Sequence, residues 1–93
     1  MSESLVVDRT VKVVNSAGVH ARPAAQIVQL ANRFQCEVQI GKDGLDVNAK
    51  SIMGVLLLAA ECGSSLRIVG EGVDAPAAVD ALAALIAKGF EEI

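Results

Sequence analysis

The chain has 93 residues, of which 53% are hydrophobic, and a formal net charge of -3. One small domain spanning residues 1–93 is expected, with enough apolar residues for a single core. The acidic balance and the lack of Trp and Tyr argue against a nucleic-acid binder, which calls for a basic face, and favour proteins as partners.

The apolar run from Ile52 to Ala60, counting Gly54, falls well short of the ~20 residues that a membrane span requires. The start Met1-Ser2-Glu3-Ser4 lacks the basic-then-apolar pattern of a secretory leader. Cys36 and Cys62 form no C-x-x-C arrangement and there is a single histidine, so no metal site and no cofactor are expected. Two reduced, packed thiols in a cytoplasmic protein are the expectation instead.

In chain order, Leu5, Val7, Val11 and Val13 alternate with Asp8, Thr10 and Lys12, which predicts a half-buried strand. Arg9 falls on its inner face and suggests that the strand begins near that residue. Ala24, Ile27, Val28, Ala31 and Phe34 recur at helical spacing and predict a helix over 21–33. Cys36, Val38 and Ile40 mark a second strand, Gly41-Lys42-Asp43-Gly44 a turn, and Leu45, Val47 and Ala49 a third strand. Ser51 opens an apolar helix expected to stop at Gly63; part of it is core and part an exposed docking patch. Leu66, Ile68 and Gly70 predict a fourth strand. Asp74 is expected to cap the last helix, with Pro76 in its first turn, Gly89 at its end and Ala78, Leu82, Leu85 and Ile86 as its buried stripe. The order βαββαβα implies an α+β fold: a four-stranded antiparallel sheet with three helices on one face and solvent on the other.

The chemistry concentrates in Ala17-Gly18-Val19-His20-Ala21-Arg22-Pro23-Ala24-Ala25. Gly18 can take the positive φ that a sharp turn demands, and Pro23 suits the first turn of a helix. His20 should therefore stand at a helix N-terminus, where backbone N–H groups point outward and the dipole favours an anion. A neutral imidazole there offers a lone pair for nucleophilic attack. Arg22 adds a guanidinium that matches phosphate oxygens. Together they suit a covalently held phosphoryl group, although a lone His in such a place is more often a cap or a surface residue.

Gly18-Val19-His20-Ala21-Arg22-Pro23-Ala24 resembles the active-site signature of the HPr family, the histidine phosphocarriers of the bacterial phosphoenolpyruvate:sugar phosphotransferase system. Lys50-Ser51-Ile52-Met53-Gly54-Val55 resembles the regulatory serine segment of that family, at the family's spacing. The resemblance runs from about Val11 to Phe90 and implies an HPr-like open-faced β-sandwich. It further implies that His20 accepts a phosphoryl group on Nδ1 from phospho-Enzyme I and passes it to an Enzyme IIA domain. The backbone N–H groups of Ala21 and Arg22 would hold the phosphoryl group, with the Arg22 side chain compensating charge. Ser51 would be a site for HPr kinase/phosphorylase. Ile52 and Met53, with Pro23, are expected to help form the docking face for Enzyme I, and a transcriptional regulator is a further expected partner. Ala17 departs from the Ser, Thr or Asn common in the family at that position. The C-terminal Lys88-Gly89-Phe90-Glu91-Glu92 resembles the nitrogen-related NPr-like branch as much as the sugar-dedicated one.

The expected protein is thus a monomeric, stoichiometric phosphoryl carrier and not an enzyme with its own substrate pocket. Two other functions fit the residues less fully. One is a regulatory interaction protein whose phosphorylation state controls partner binding. The other is a small anion-binding domain that uses the helix end without covalent chemistry.

Overall fold

The computed structural model describes residues 5–91. Residues 1–4, read above for a leader, and Glu92 of the C-terminal motif lie outside them. The elements run β1 (Val6–Lys12), α1 (Ala21–Ala31), β2 (Glu37–Lys42), β3 (Leu45–Asn48), α2 (Ile52–Leu57), β4 (Ser65–Glu71) and α3 (Ala75–Ala87), followed by a short 3-10 turn at Gly89–Glu91.

The four strands form one antiparallel sheet in the order β1-β4-β2-β3. β4 lies between β1 and β2, and β2 lies between β3 and β4, so two βαβ units interleave, each with the other's strand inserted at its centre. Their helices cover the same face. Period-two patterning decides which face that is. Val38 and Ile40 of β2 and Leu66 and Ile68 of β4 point inward and are buried, whereas Gln39 and Arg67 between them face solvent. Asp8 and Arg67 pair across β1 and β4 on the wet face, with both Asp8 carboxylate oxygens accepting from Arg67 Nε at 3.0 and 2.9 Å. The core completes itself with Ala24, Ile27 and Ala31 of α1, Val55 of α2, and Ala78, Val79, Leu82 and Ile86 of α3. Leu85, expected in the α3 stripe, is half-buried.

Several boundaries differ from the sequence expectation for local reasons. β1 begins at Val6 rather than near Arg9. Arg9 does face the helices, but its guanidinium reaches the sheet margin and pairs with Asp80 of α3 at 2.6 Å. Leu5 remains exposed. The β2–β3 turn is only Asp43-Gly44, with both residues left-handed at φ 52° and 86°, the two-residue hairpin geometry that an Asp-Gly pair supplies; Gly41 and Lys42 belong to the strand. α1 ends at Ala31 rather than residue 33. Helix α2 is only six residues long and stops at Leu57, far short of Gly63. Ala59 turns left-handed at φ 48°, and Lys42 Nζ donates to the carbonyls of Leu58 and Ala59, each at 3.2 Å. Asp74 does not cap α3 with its side chain. Its carboxylate instead accepts from the backbone N–H groups of Gln35 and Cys36, both at 2.9 Å, and ties the start of α3 to the corner before β2. Of the two thiols only Cys36 is packed; Cys62 is exposed.

Candidate functional site

The site is built by the turn between β1 and α1. Leaving the sheet, Val13 exchanges backbone hydrogen bonds with Ser64 and Gly63 at 2.8 Å each. The chain then folds over the segment that follows α2. Val19 N–H donates to the Ala60 carbonyl at 2.8 Å. Gly18 sits at φ 70°, and a Cβ there would stand 2.5 Å from Ala60 O and 2.9 Å from Glu61 Cα. The glycine is thus required twice, once for its backbone angle and once because main chain passes against it. Within the turn, buried Asn15 donates from Nδ2 to the Gly18 carbonyl at 2.8 Å.

His20 follows as the N-cap of α1, in extended backbone conformation, and its side chain does not cap the helix. It is exposed to solvent, as are Ala21 and Arg22. The first helical hydrogen bond runs from Ala24 N–H to the His20 carbonyl at 2.9 Å. The N–H groups of Ala21 and Arg22 precede that bond and lie at the positive end of the helix dipole. Pro23, third in the helix and buried, has no N–H to satisfy and fixes the first turn against the core. His20, Ala21 and Arg22 are therefore consecutive, exposed residues at one helix start. No group of three or more His, Cys, Asp or Glu residues among those described could hold a metal ion. A hollow of about 340 Å³ on the wet sheet face, lined by residues such as Glu37, Asn48, Lys50 and Glu71, includes neither His20 nor Arg22.

Ser51, Ile52 and Met53 lie elsewhere. Ser51 is the N-cap of α2, and its Oγ accepts from Gly54 N–H at 3.3 Å. That end of α2 is tied to the C-terminal end of α1, where Asn32 Nδ2 donates to the Lys50 carbonyl at 3.3 Å and Lys50 Nζ to the Phe34 carbonyl at 2.7 Å. His20 is at the opposite end of α1, whose eleven residues span about 16 Å. The two helices run antiparallel, since the chain after α2 meets Val19. Between the two ends lies an exposed apolar strip of Ile52, Met53, Leu56 and Leu57. Leu56 and Leu57 were not singled out from the sequence. The signal was present in the spacing, because Val55 and the following Leu58 take the buried side and leave Ile52, Met53, Leu56 and Leu57 outside.

Fold and site together define a small open-faced α+β sandwich with a solvent-facing histidine at a helix start. A family model described as "PTS HPr component phosphorylation site" matches residues 7–88. The chain is 54% identical over 87 residues to the phosphocarrier protein HPr of Treponema pallidum (strain Nichols), covering 94% of this chain and 99% of that protein. The crystal structure of a phosphocarrier protein HPr from Bacillus anthracis str. Ames superposes with a TM-score of 0.84 at 51% identity, over 87% of this chain and 96% of that one. An HPr dimer from Thermoanaerobacter tengcongensis matches with a TM-score of 0.75 at 40% identity, over 99% and 100% of the two chains. The chain belongs to the HPr family, the phosphocarriers of the phosphotransferase system.

Proposed function

We propose that this protein carries a phosphoryl group on His20 between phospho-Enzyme I and an Enzyme IIA domain. The observation that supports this most is the exposed imidazole at the start of α1, beside the leading N–H groups of Ala21 and Arg22. Nδ1 of His20 attacks phosphorus, the P–N bond of the donor breaks with its electron pair staying on the donor nitrogen, and a new P–N bond forms. The second transfer repeats these changes with His20 as donor. Phosphoryl oxygens gain the two N–H donors and the helix dipole, while the Arg22 guanidinium offsets their charge. The group is held at an open corner, so each partner enzyme can supply its own catalytic residues. The proposed form is a monomer in the cytoplasm, one HPr-type domain over 1–93, acting as a stoichiometric intermediate. The test is incubation with phosphoenolpyruvate, Mg²⁺ and Enzyme I. The wild type gains an acid-labile phosphate and His20→Ala gains none; labelling of His20→Ala overturns the reading.

Ser51 adds a regulatory role, with HPr kinase/phosphorylase as the modifying enzyme. Its support is the exposed Ile52 and Met53 immediately beyond the Ser51 cap. A phosphate there meets the start of α2 without opposing the fold, and repels acidic groups of a partner seated on the strip. Ser51→Asp is expected to slow phosphorylation of His20 with little change in melting temperature, and equal rates would reject the role. The alternative function is a regulatory interaction protein, in the nitrogen-type branch or as a partner of a transcriptional regulator. That protein would bind its partner according to phosphorylation state and pass no phosphate to an Enzyme IIA domain.

A further inference from the structure

The His20 turn rests on a segment that is itself held in an unfavourable backbone conformation. Ala59 is left-handed at φ 48°, an angle that a residue with a Cβ resists. It follows a six-residue helix whose Val55 and Leu56 carbonyls accept from the Leu58 and Ala59 N–H groups, and the carbonyls of Leu58 and Ala59 lie just beyond it. Lys42, half-buried on the helix-facing side of β2, reaches this segment. Its Nζ donates to the carbonyls of Leu58 and Ala59, both at 3.2 Å, and places a positive charge at the negative end of α2. The next carbonyl in the chain, that of Ala60, accepts the Val19 N–H at 2.8 Å and lies against Gly18. Val19 is the residue before His20. A short series of direct contacts therefore leads from Lys42 through the Leu58–Ala60 carbonyls to the backbone that sets the imidazole and the N–H groups behind it.

We infer that Lys42 is a positioning residue for phosphoryl transfer: by clamping the end of α2, its ammonium fixes the His20 turn relative to the apolar strip on which partners dock. The inference rests on the carrier role of His20 proposed above. It is specific about what should change. Met53 and Leu57 keep their exposure when Lys42 is lost, so docking is retained, but the imidazole is presented less accurately once docked. Misplacement of a reacting group by a fraction of an ångström lowers the transfer rate without weakening the encounter.

The experiment measures phosphoryl transfer from Enzyme I to the wild type, Lys42→Met, Lys42→Gln and Lys42→Arg, with Val19 amide exchange followed by NMR. Lys42→Met and Lys42→Gln are expected to lower kcat about tenfold, with KM for this protein within about twofold and Val19 exchanging faster. Lys42→Arg, which can still reach both carbonyls, is expected to restore most of the rate. A purely structural role would lower the melting temperature of Lys42→Met and Lys42→Gln while leaving kcat and Val19 exchange as in the wild type, and that result overturns the inference. The polar Lys42→Gln serves as the assay variant should the methionine variant fold poorly. Failure of the underlying carrier reading looks different, since wild-type protein would then remain unlabelled at His20.

Discussion

Gly18→Ala is the substitution whose cost follows most directly from the geometry. Two effects add. Alanine at φ 70° loses about 1–2 kcal/mol relative to a right-handed or extended conformation. The new Cβ would also meet Ala60 O at 2.5 Å and Glu61 Cα at 2.9 Å, and neither is a side-chain tip that can swing aside. Relief requires the two backbones to separate, which stretches the 2.8 Å bond from Val19 N–H to Ala60 O and forfeits about 1 kcal/mol. The sum is about 2–3 kcal/mol, or a fall of about 8–24 °C in melting temperature for a domain of this size. Gly44→Ala is the matched control: that glycine is left-handed at φ 86°, but a Cβ there has nothing within 4 Å. It should cost only the backbone part, about 1–2 kcal/mol. Urea titrations of the two variants and the wild type supply the comparison. Equal losses at the two glycines would refute the claim that the His20 turn is packed main chain against main chain.

Three further outcomes are expected. Backbone N–H donation, first from Gln35, holds the Asp74 carboxyl below its ordinary value near 3.8; a depressed folded-state value means stability that is present above the ordinary value and lost as pH falls through the depressed one. The acid limb of the stability curve should therefore be shallower in Asp74→Asn, and identical limbs would contradict the tie between α3 and the β2 corner. Asp8, held low chiefly by its hydrogen bond from Arg67, titrates in the same direction and is present in both proteins, so the difference isolates Asp74. Met53→Ser and Leu57→Ser, at residues each 69% exposed, should change folding stability by no more than about 0.5 kcal/mol while raising KM in the transfer assay; unchanged KM in both would remove the docking role of α2. A thiol reagent should modify Cys62 in the native protein and reach Cys36 only on unfolding, because burial removes Cys36 from solvent and pushes its thiol up from its ordinary value.

The residues that carried the sequence reading furthest were those whose signals are local. Alternation in Cys36-Val38-Ile40 and Leu66-Ile68-Gly70 located two strands, because which face a side chain takes is settled within the strand itself. Asp43-Gly44 located the hairpin, and Gly18 with Pro23 located the start of α1, through backbone angles that few other residues accept. What was not legible depends on partners distant in sequence. Asp74 looks like a cap from its neighbours, yet its carboxylate is claimed by Gln35 and Cys36. Gly63 looks like the end of α2, yet the helix stops six residues earlier, where Lys42 can reach the Leu58 and Ala59 carbonyls. The candidate site divides in the same way. The placement of His20, Ala21, Arg22 and Pro23 around one helix start follows from consecutive residues. The placement of Ser51 at the far end of α1 follows from Asn32 and Lys50 contacts that no short motif encodes.

The most direct test of the carrier reading is ¹⁵N NMR of the imidazole before and after reaction with phosphoenolpyruvate and Enzyme I. The account predicts that the His20 Nδ1 resonance alone acquires coupling to phosphorus, and that the coupling disappears when an Enzyme IIA domain is added. Phosphate found on Nε2, on Ser51 or on no residue, with His20 unchanged, would contradict it.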